Sequence, residues 1–400
     1  MIAGQRQITG HVCAKKGMWY MVINMPAPSG VGPNKPKWHK TGLREKGNKT
    51  KAKSMLQEYL VRLNFKVSLK YGVAETTLFA DYMEAWLEMM EPNLAPTTMT
   101  SYRRNIKKSI APYFRELGVT VDDVERNPQL IQDYYTYLRK ERGNGASTVR
   151  RHHANIRKAL QNGVKTDLIL SNAADKVEKP KPEPYKAKFY DADQMNEVFA
   201  LLKGHRLYLP VLVTSFYGLR RSEFLGLKWD AIDFSSNQIA IRHTVSSVED
   251  ENFKRHIVTR DRTKNTSSYR TMPLIPQVRD ALLEKMKNDR EYRKVCGNCY
   301  CHENKDYIFV DELGKLMNPD YPSRTFPVFL IKHGMPRIRF HDLRHSCASL
   351  LLNQKVSMKK IQEWLGHSHY STTANIYAHL DAESKNEAAE IMGNMLKKDE

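Results

Sequence analysis

The run Lys179-Pro180-Lys181-Pro182-Glu183-Pro184 constrains this chain more than any other stretch. Each proline fixes φ and removes a backbone donor, so three prolines at every second position exclude both a helix and an interior strand. The segment must run extended and semi-rigid. It therefore divides the 400 residues into two parts, each long enough to close a hydrophobic core of its own.

Before this linker, residues 9 to 25 alternate as strands around a Lys15-Lys16-Gly17 turn, which predicts a hairpin. The Pro/Gly-rich stretch from Pro26 to Pro36 ends it, and Trp38 to Thr41 is expected as a third short strand. Thr50 opens a helix to about Asn64, with Met55, Leu56, Tyr59, Leu60 and Leu63 on its apolar face, and Tyr71-Gly72 is expected as a turn. Phe79, Tyr82, Met83, Trp86, Leu87 and Met90 keep helical spacing. Further helices are expected from Pro96, over Leu130 to Lys140, and from a cap at Ser147. Beyond the linker, Asp191 or Asp193 caps a helix, and the apolar run Leu207 to Tyr217 predicts a buried one. A helix over Ser222 to Leu227 follows. Strands are expected at Gln238 to His243, Arg255 to Thr259, Met272 to Leu274 and Ile308 to Val310, with helices over Val278 to Lys287 and Ser323 to His333.

Charge narrows the function. The chain carries 64 Lys+Arg against 44 Asp+Glu, a formal net charge of +20. Residues 1 to 70 hold 14 Lys/Arg against 2 Asp/Glu. Cations in this excess point to nucleic acid, whose condensed counterions they release on binding. A solubilising surface or an anionic membrane is the alternative reading. No run approaches the roughly 18 apolar residues a membrane span needs, and the first residues do not read as a secretory signal, so a cytoplasmic location is expected. Five cysteines do not form a disulfide framework. Cys296, Cys299, Cys301 and His302 place four metal-capable groups in seven residues. They lack the separated second ligand pair of a structural zinc site, so no metal is expected and a surface loop with reduced thiols is the simpler reading.

The chemistry concentrates in five separated motifs: Gly218-Leu219-Arg220-Arg221-Ser222-Glu223, Lys264, His341-Asp342-Leu343-Arg344-His345, Leu365-Gly366-His367, and Thr373 with Tyr377 and His379. Two arginines can bind phosphate oxygens as planar forks. His341 and Arg344, three apart, share one helix face, while Leu343, Cys347, Leu350 and Leu351 give that helix a buried stripe. A tyrosine phenol titrates near about 10, so it attacks a phosphodiester only where cations and a proton acceptor surround the target.

In this order the motifs resemble the tyrosine recombinases, most nearly the integrases of conjugative transposons and temperate phages. The resemblance implies a multidomain α+β chain. It has a small three-stranded sheet plus helix over 1–70, which binds arm-type DNA sites and can lay its sheet in a major groove. An all-α, SAM-like core-binding bundle covers 74–178, a linker 179–188, and a mostly α catalytic domain with a small antiparallel sheet 189–400. It implies Tyr377 as nucleophile, Arg220 and Arg344 as phosphate forks, Lys264 as general acid to the leaving 5′ oxygen, His341 as proton acceptor, and His367 as a hydrogen-bonding partner of the phosphate. Arg260, Arg262 and Arg270 rival Lys264. Lys15, Lys16, Lys37, Lys40, Arg103, Arg104, Arg150 and Arg151 are the candidate DNA contacts. A 3′-phosphotyrosyl ester stores the energy of the broken bond, so rejoining needs neither ATP nor metal, and no cofactor is expected. The chain carries no clustered Asp/Glu set and no Gly-rich phosphate loop.

The implied partners are double-stranded DNA at attachment and arm sites, three further copies of the chain in a homotetramer on that DNA, and an excisionase. The helix expected over Asp381 to Lys398 would pack on a neighbouring copy or on its own body. A type IB topoisomerase-like relaxing enzyme and a non-catalytic DNA-binding regulator are the alternatives.

Overall fold

The structure is a computed structural model that describes residues 8–25, 35–182, 188–261, 269–368 and 392, with 61–72 described as backbone only. Lys264, Thr373, Tyr377, His379 and, apart from residue 392, the helix expected over Asp381 to Lys398 lie outside the described residues. The chain forms two compact units, Met1–Pro184 and Tyr185–Glu400.

The first unit opens with β1 (Thr9–Lys15), β2 (Met18–Met25) and β3 (Lys35–Arg44), an antiparallel sheet in sequence order. Lys16 and Gly17 both take positive φ (53° and 73°), the requirement of the two-residue hairpin turn whose twist matches the strands. β3 is longer than the four residues expected. Period-two alternation sends Met21 and Ile23 to one side, where they meet Leu56 of α1 (Lys49–Thr76) together with Ile8. Tyr20 and Val22 face the other side, opposite Lys40 and Trp38.

Helix α1 corrects two expectations. It runs 28 residues instead of about 15, and Tyr71-Gly72 lies within it. A single mid-helix glycine weakens a helix by about 1 kcal/mol without ending it, and the stop comes at Thr77, which is extended. After α1 come α2 (Phe79–Met90), α3 (Pro96–Asn105), a π turn over Ile106–Ile110, α4 (Ala111–Leu117), α5 (Val121–Arg126), α6 (Gln129–Lys140) and α7 (Ala146–Lys165). α5, absent from the sequence reading, starts at a Thr120–Asp123 capping box. Gly145 rather than Ser147 stands at the start of α7. The core collects Phe79, Met83, Trp86, Phe114, Tyr134 and Ile156 among others.

The second unit runs α8 (Ala192–Leu202), capped by Asp191 with Gln194, then α9 (Tyr208–Tyr217) and α10 (Arg221–Leu225). β4 (Ile232–Asp233), β5 (Gln238–Ile241), β6 (Thr244–Glu249), β7 (Arg255–Arg260) and β8 (Arg270–Pro273) follow. They pair antiparallel as β4-β5-β8 and as β6-β7. α11 (Pro276–Cys296) runs nine residues beyond the expected end and starts two before the expected beginning. Ile308 to Val310 is not a strand: Val310 makes an isolated bridge to Leu316, and Tyr307 just before the segment makes one to Lys228. α12 (Tyr321–Lys332), α13 (Asp342–Asn353) and α14 (Met358–Leu365) complete the described chain.

α9 organises this unit. Its continuous apolar sequence is buried on nearly all sides, as a helix hydrophobic all round must be. Val211, Leu212, Val213 and Tyr217 pack in one core with Phe224, Phe309, Phe326, Phe340 and Leu343. Among the described residues no helix is long and apolar enough to cross a membrane.

Candidate active site

The site grows out of the carboxyl end of α9. The last carbonyls of a helix have no partner within it, and here side chains from later in the sequence serve them. The Phe216 carbonyl accepts from the Trp364 indole (3.1 Å) and the Cys347 thiol (3.4 Å). The Gly218 carbonyl accepts from Arg344 Nη1 (2.5 Å). Thus α13 and α14 are drawn onto the turn that delivers Arg220. Gly218 stops α9 at φ +59°, and a Cβ there would sit 2.2 Å from Leu365 Cδ2, so the close approach needs glycine on two counts.

Arg220 sits directly before α10, its side chain about one-third exposed. Its Nη2 donates to the Gly366 carbonyl (2.9 Å) and its Nη1 to Glu223 Oε1 (2.5 Å). Glu223 is 2% exposed, and its Oε2 accepts from the Arg220 backbone N–H (3.0 Å) and from Arg270 Nη2 (3.3 Å). Burial alone would raise the Glu223 carboxyl, but Arg270, Arg220 and Arg344 together hold it below the usual carboxylate range.

Arg344, 2% exposed, lies on the first turn of α13. The start of that helix is fixed by Asp342, which accepts from the Arg339 backbone N–H (2.8 Å) and guanidinium, and by Ser346, which links the Asp342 carbonyl to the Tyr190 N–H. Burial, then Arg220, push the Arg344 guanidinium down to about 9, which leaves it charged at neutral pH. Its buried Nη2 has no hydrogen-bond partner among the described residues. A buried unsatisfied donor on a cation is expensive unless a ligand completes it.

Three histidines surround this cation. His341 begins α13, and its ring stands perpendicular to His345, 5.6 Å between centroids. Desolvation first, then Arg344 and His345, lower its pKa, and the solvent-open part of the residue limits the extent. His345 is 8% exposed. His367 follows the left-handed Gly366 that ends α14. Burial, then Arg344 and Arg220, push it down to about 3. Both imidazoles the sequence singled out are therefore neutral at pH 7, able to accept a proton or donate one N–H.

The sequence-predicted residues thus divide. Arg220, Arg344 and His367 come together, His341 lies one helical turn from Arg344, and Lys264 and Tyr377 lie outside the described residues. Sequence reasoning valued Glu223 only as a motif letter and Arg270 only as a rival of Lys264. The signal for Glu223 was its position three residues past Arg220, one helical turn away.

Among the proposed surface cations, Lys15 Nζ lies 5.2 Å from the Trp38 ring on the sheet face away from α1, and Lys40 pairs with Tyr20 there. Lys16 occupies the hairpin turn. Lys37 pairs with Ile23, so its alternation puts it on the α1 side. Arg104, Arg150 and Arg151 are exposed, with Arg150 donating to the Pro180 carbonyl (3.3 Å) and Arg151 to Thr148 Oγ1 (3.3 Å). Arg103 departs from expectation: it is 7% exposed and donates to Glu91 Oε1 (2.8 Å). Its spacing carried that signal, since Met99, Arg103, Ile106 and Ile110 fall on one stripe and all are buried. Cys296 ends α11 and donates to the Glu312 carbonyl (3.5 Å), while Cys301 accepts from Asn304 (3.3 Å). Among the described residues no three His, Cys, Asp or Glu side chains gather to hold a metal.

Residues 188–384 match the Phage integrase family, and 78–139 match the phage integrase N-terminal SAM-like domain. A tyrosine recombinase XerC-like protein of Caldanaerobacter subterraneus subsp. tengcongensis is 28% identical over 361 residues, covering 87% of this chain and 90% of its own. The ICEBs1 integrase of Bacillus subtilis is 24% identical, covering 80% and 83%. Among solved structures, the Tn1549 transposon integrase in complex with a circular intermediate DNA shares the fold at 20% identity and a TM-score of 0.64, over 79% of this chain and 100% of that one. A lambda integrase dimer bound to a COC′ core site does so at 13% identity and a TM-score of 0.56, over 93% and 96%. With its SAM-like and catalytic segments both matched and its two arginines and two histidines assembled around the end of α9, this chain belongs to the tyrosine recombinases of the phage integrase family.

Proposed function

We propose that this tyrosine recombinase is the integrase of a mobile element, joining and releasing the element's ends by site-specific strand exchange on double-stranded DNA. The observation that supports this most is the buried guanidinium of Arg344, whose Nη2 lacks a partner among the described residues, set in a cluster with Arg220. A scissile phosphate supplies the oxygens such a donor needs, and two forks stabilise the charge that develops on in-line attack.

In this reading the Tyr377 oxygen attacks phosphorus and a P–O bond to tyrosine forms as the bond to the 5′ oxygen breaks. The phenolic proton passes to His341, Lys264 protonates the departing 5′ oxygen, and His367 donates to a non-bridging oxygen. The freed 5′ hydroxyl of a second strand then attacks the phosphotyrosine and returns the proton. The 1–70 segment would read arm sites through the open face of its sheet, with Lys15, Lys16 and Lys40 toward DNA. The 74–178 bundle would clamp core sites, and the 189–400 domain, reached over the 179–188 linker, would cut. Arg104, Arg150 and Arg151 would position phosphates; buried Arg103 holds Glu91 instead, and Lys37 would contribute only from the sheet edge. Assembly as a homotetramer, dependence on an excisionase for release, and action at the bacterial nucleoid in the cytoplasm belong to the same reading.

The test is incubation with a nicked duplex spanning the junction of the element that carries the gene, read as a covalent protein–DNA band. Wild-type protein should give the band. Tyr377→Phe should bind the duplex and give none; a band of normal intensity from that variant would move the nucleophile elsewhere.

A further inference from the structure

We propose that Arg270 is a positioning residue, which sets the effective charge of Arg220 by sharing the buried carboxylate of Glu223. This inference rests on the strand-cleavage reading above.

Arg270 is the first residue of β8, and its side chain is 8% exposed. No phosphate contact is assigned to it; its Nη2 donates to Glu223 Oε2. That oxygen also takes the Arg220 N–H, while Oε1 takes the Arg220 guanidinium. Two guanidinium groups thus bond one carboxylate and Arg344 adds its charge nearby, so the cluster keeps an excess of two positive charges for an arriving phosphodiester. Without Arg270, Glu223 would neutralise Arg220 unshared, and the excess would fall to one. A buried charge acts in a low effective dielectric, so the loss weighs most where anionic charge develops, in the transition state.

The geometry also gives Arg270 a mechanical part. It joins the start of β8 to the first turn of α10, and Tyr217 pins the far end of the same strand by donating to the Pro273 carbonyl (3.0 Å) and accepting from the Ile275 N–H (2.9 Å). Lys264 lies six residues before Arg270 in the chain. The strand that follows the proposed general acid in sequence thus begins at the carboxylate that orients the proposed phosphate fork.

Single-turnover cleavage of the nicked junction duplex at saturating protein, with duplex affinity and thermal unfolding measured alongside, tests this. Arg270→Met should slow formation of the covalent band about 10- to 100-fold, the range for removing an outer partner of a reacting group, with affinity for the duplex within a few-fold of wild type. Arg270→Lys, which keeps the charge, should recover part of the rate. The double variant Arg270→Met with Glu223→Gln restores the excess of two charges and should cleave faster than Arg270→Met alone. Wild-type rates from Arg270→Met, a loss matched by weaker binding or by the unfolded fraction, or a double variant no faster than the single one would each overturn the assignment. A missing wild-type band would instead overturn the cleavage reading on which it stands.

Discussion

Two buried polar clusters, one in each unit, follow opposite rules. Between α6 and α7, Tyr134 bonds His152 and Tyr135 bonds His153, each at 2.8 Å between the hydroxyl and Nδ1, and all four residues are 5% exposed or less. Burial pushes both imidazoles down to about 4, so at neutral pH these are neutral pairs. In the second unit Arg220, Arg270 and Arg344 converge on Glu223 with charge left over and a donor unfilled. The first cluster carries no net charge and holds two helices in register, though His153 Nε2 has no partner among the described residues. The second is incomplete, and an incomplete buried cluster costs stability that only a ligand returns.

Removing a member should therefore hurt one cluster in activity and the other in stability. Arg344→Met should lower the cleavage rate by about 10³-fold, the scale of a lost donor to developing charge, while thermal stability stays level or rises because an uncompensated buried cation is gone. A large drop in melting temperature with activity retained in the folded fraction would reverse the contrast. Gly218→Ala joins the two effects. It forces a methyl into Leu365 at positive φ and should destabilise the second unit by about 3 kcal/mol in denaturant unfolding, with cleavage lost in step.

The pH response sharpens the contrast from the other side. The folded pKa values of His152 and His153, about 4, lie below the unfolded value of about 6.5. As pH falls through 6.5 the unfolded chain takes up protons first. Stability from these pairs is full above pH 6.5, declines towards pH 4 and levels off below it, by up to about 3 kcal/mol per pair. Replacing both histidines should flatten that slope in urea titrations. The smallest effect should come from Tyr134→Phe, which leaves one imidazole nitrogen unbonded and should cost about 1–2 kcal/mol with cleavage unchanged.

How much of this the residues announce depends on how far the partners lie apart in sequence. The hairpin at Lys16-Gly17, the Asp191 cap, the apolar α9 and the shared face of His341 and Arg344 arise within a few residues and were legible. So was Arg220, through the turn that carries it. The pairing of Glu223 with Arg270 spans 47 residues, and no local period encodes it. The extension of α1 through Gly72 and of α11 to Cys296 shows tertiary context outweighing a glycine and a polar stretch. Arg103 is the instructive miss: its phase on α3 pointed inward while its chemistry suggested the surface, and the phase was decisive.

Gly366 gives the cleft a shared failure point. Its carbonyl steadies Arg220, and the very next residue is the imidazole of His367. Should the last turn of α14 unwind, the fork loses its backbone anchor and the pocket loses a ring in the same motion. The grip on a phosphate is then all-or-none, set by whether one helix end is wound.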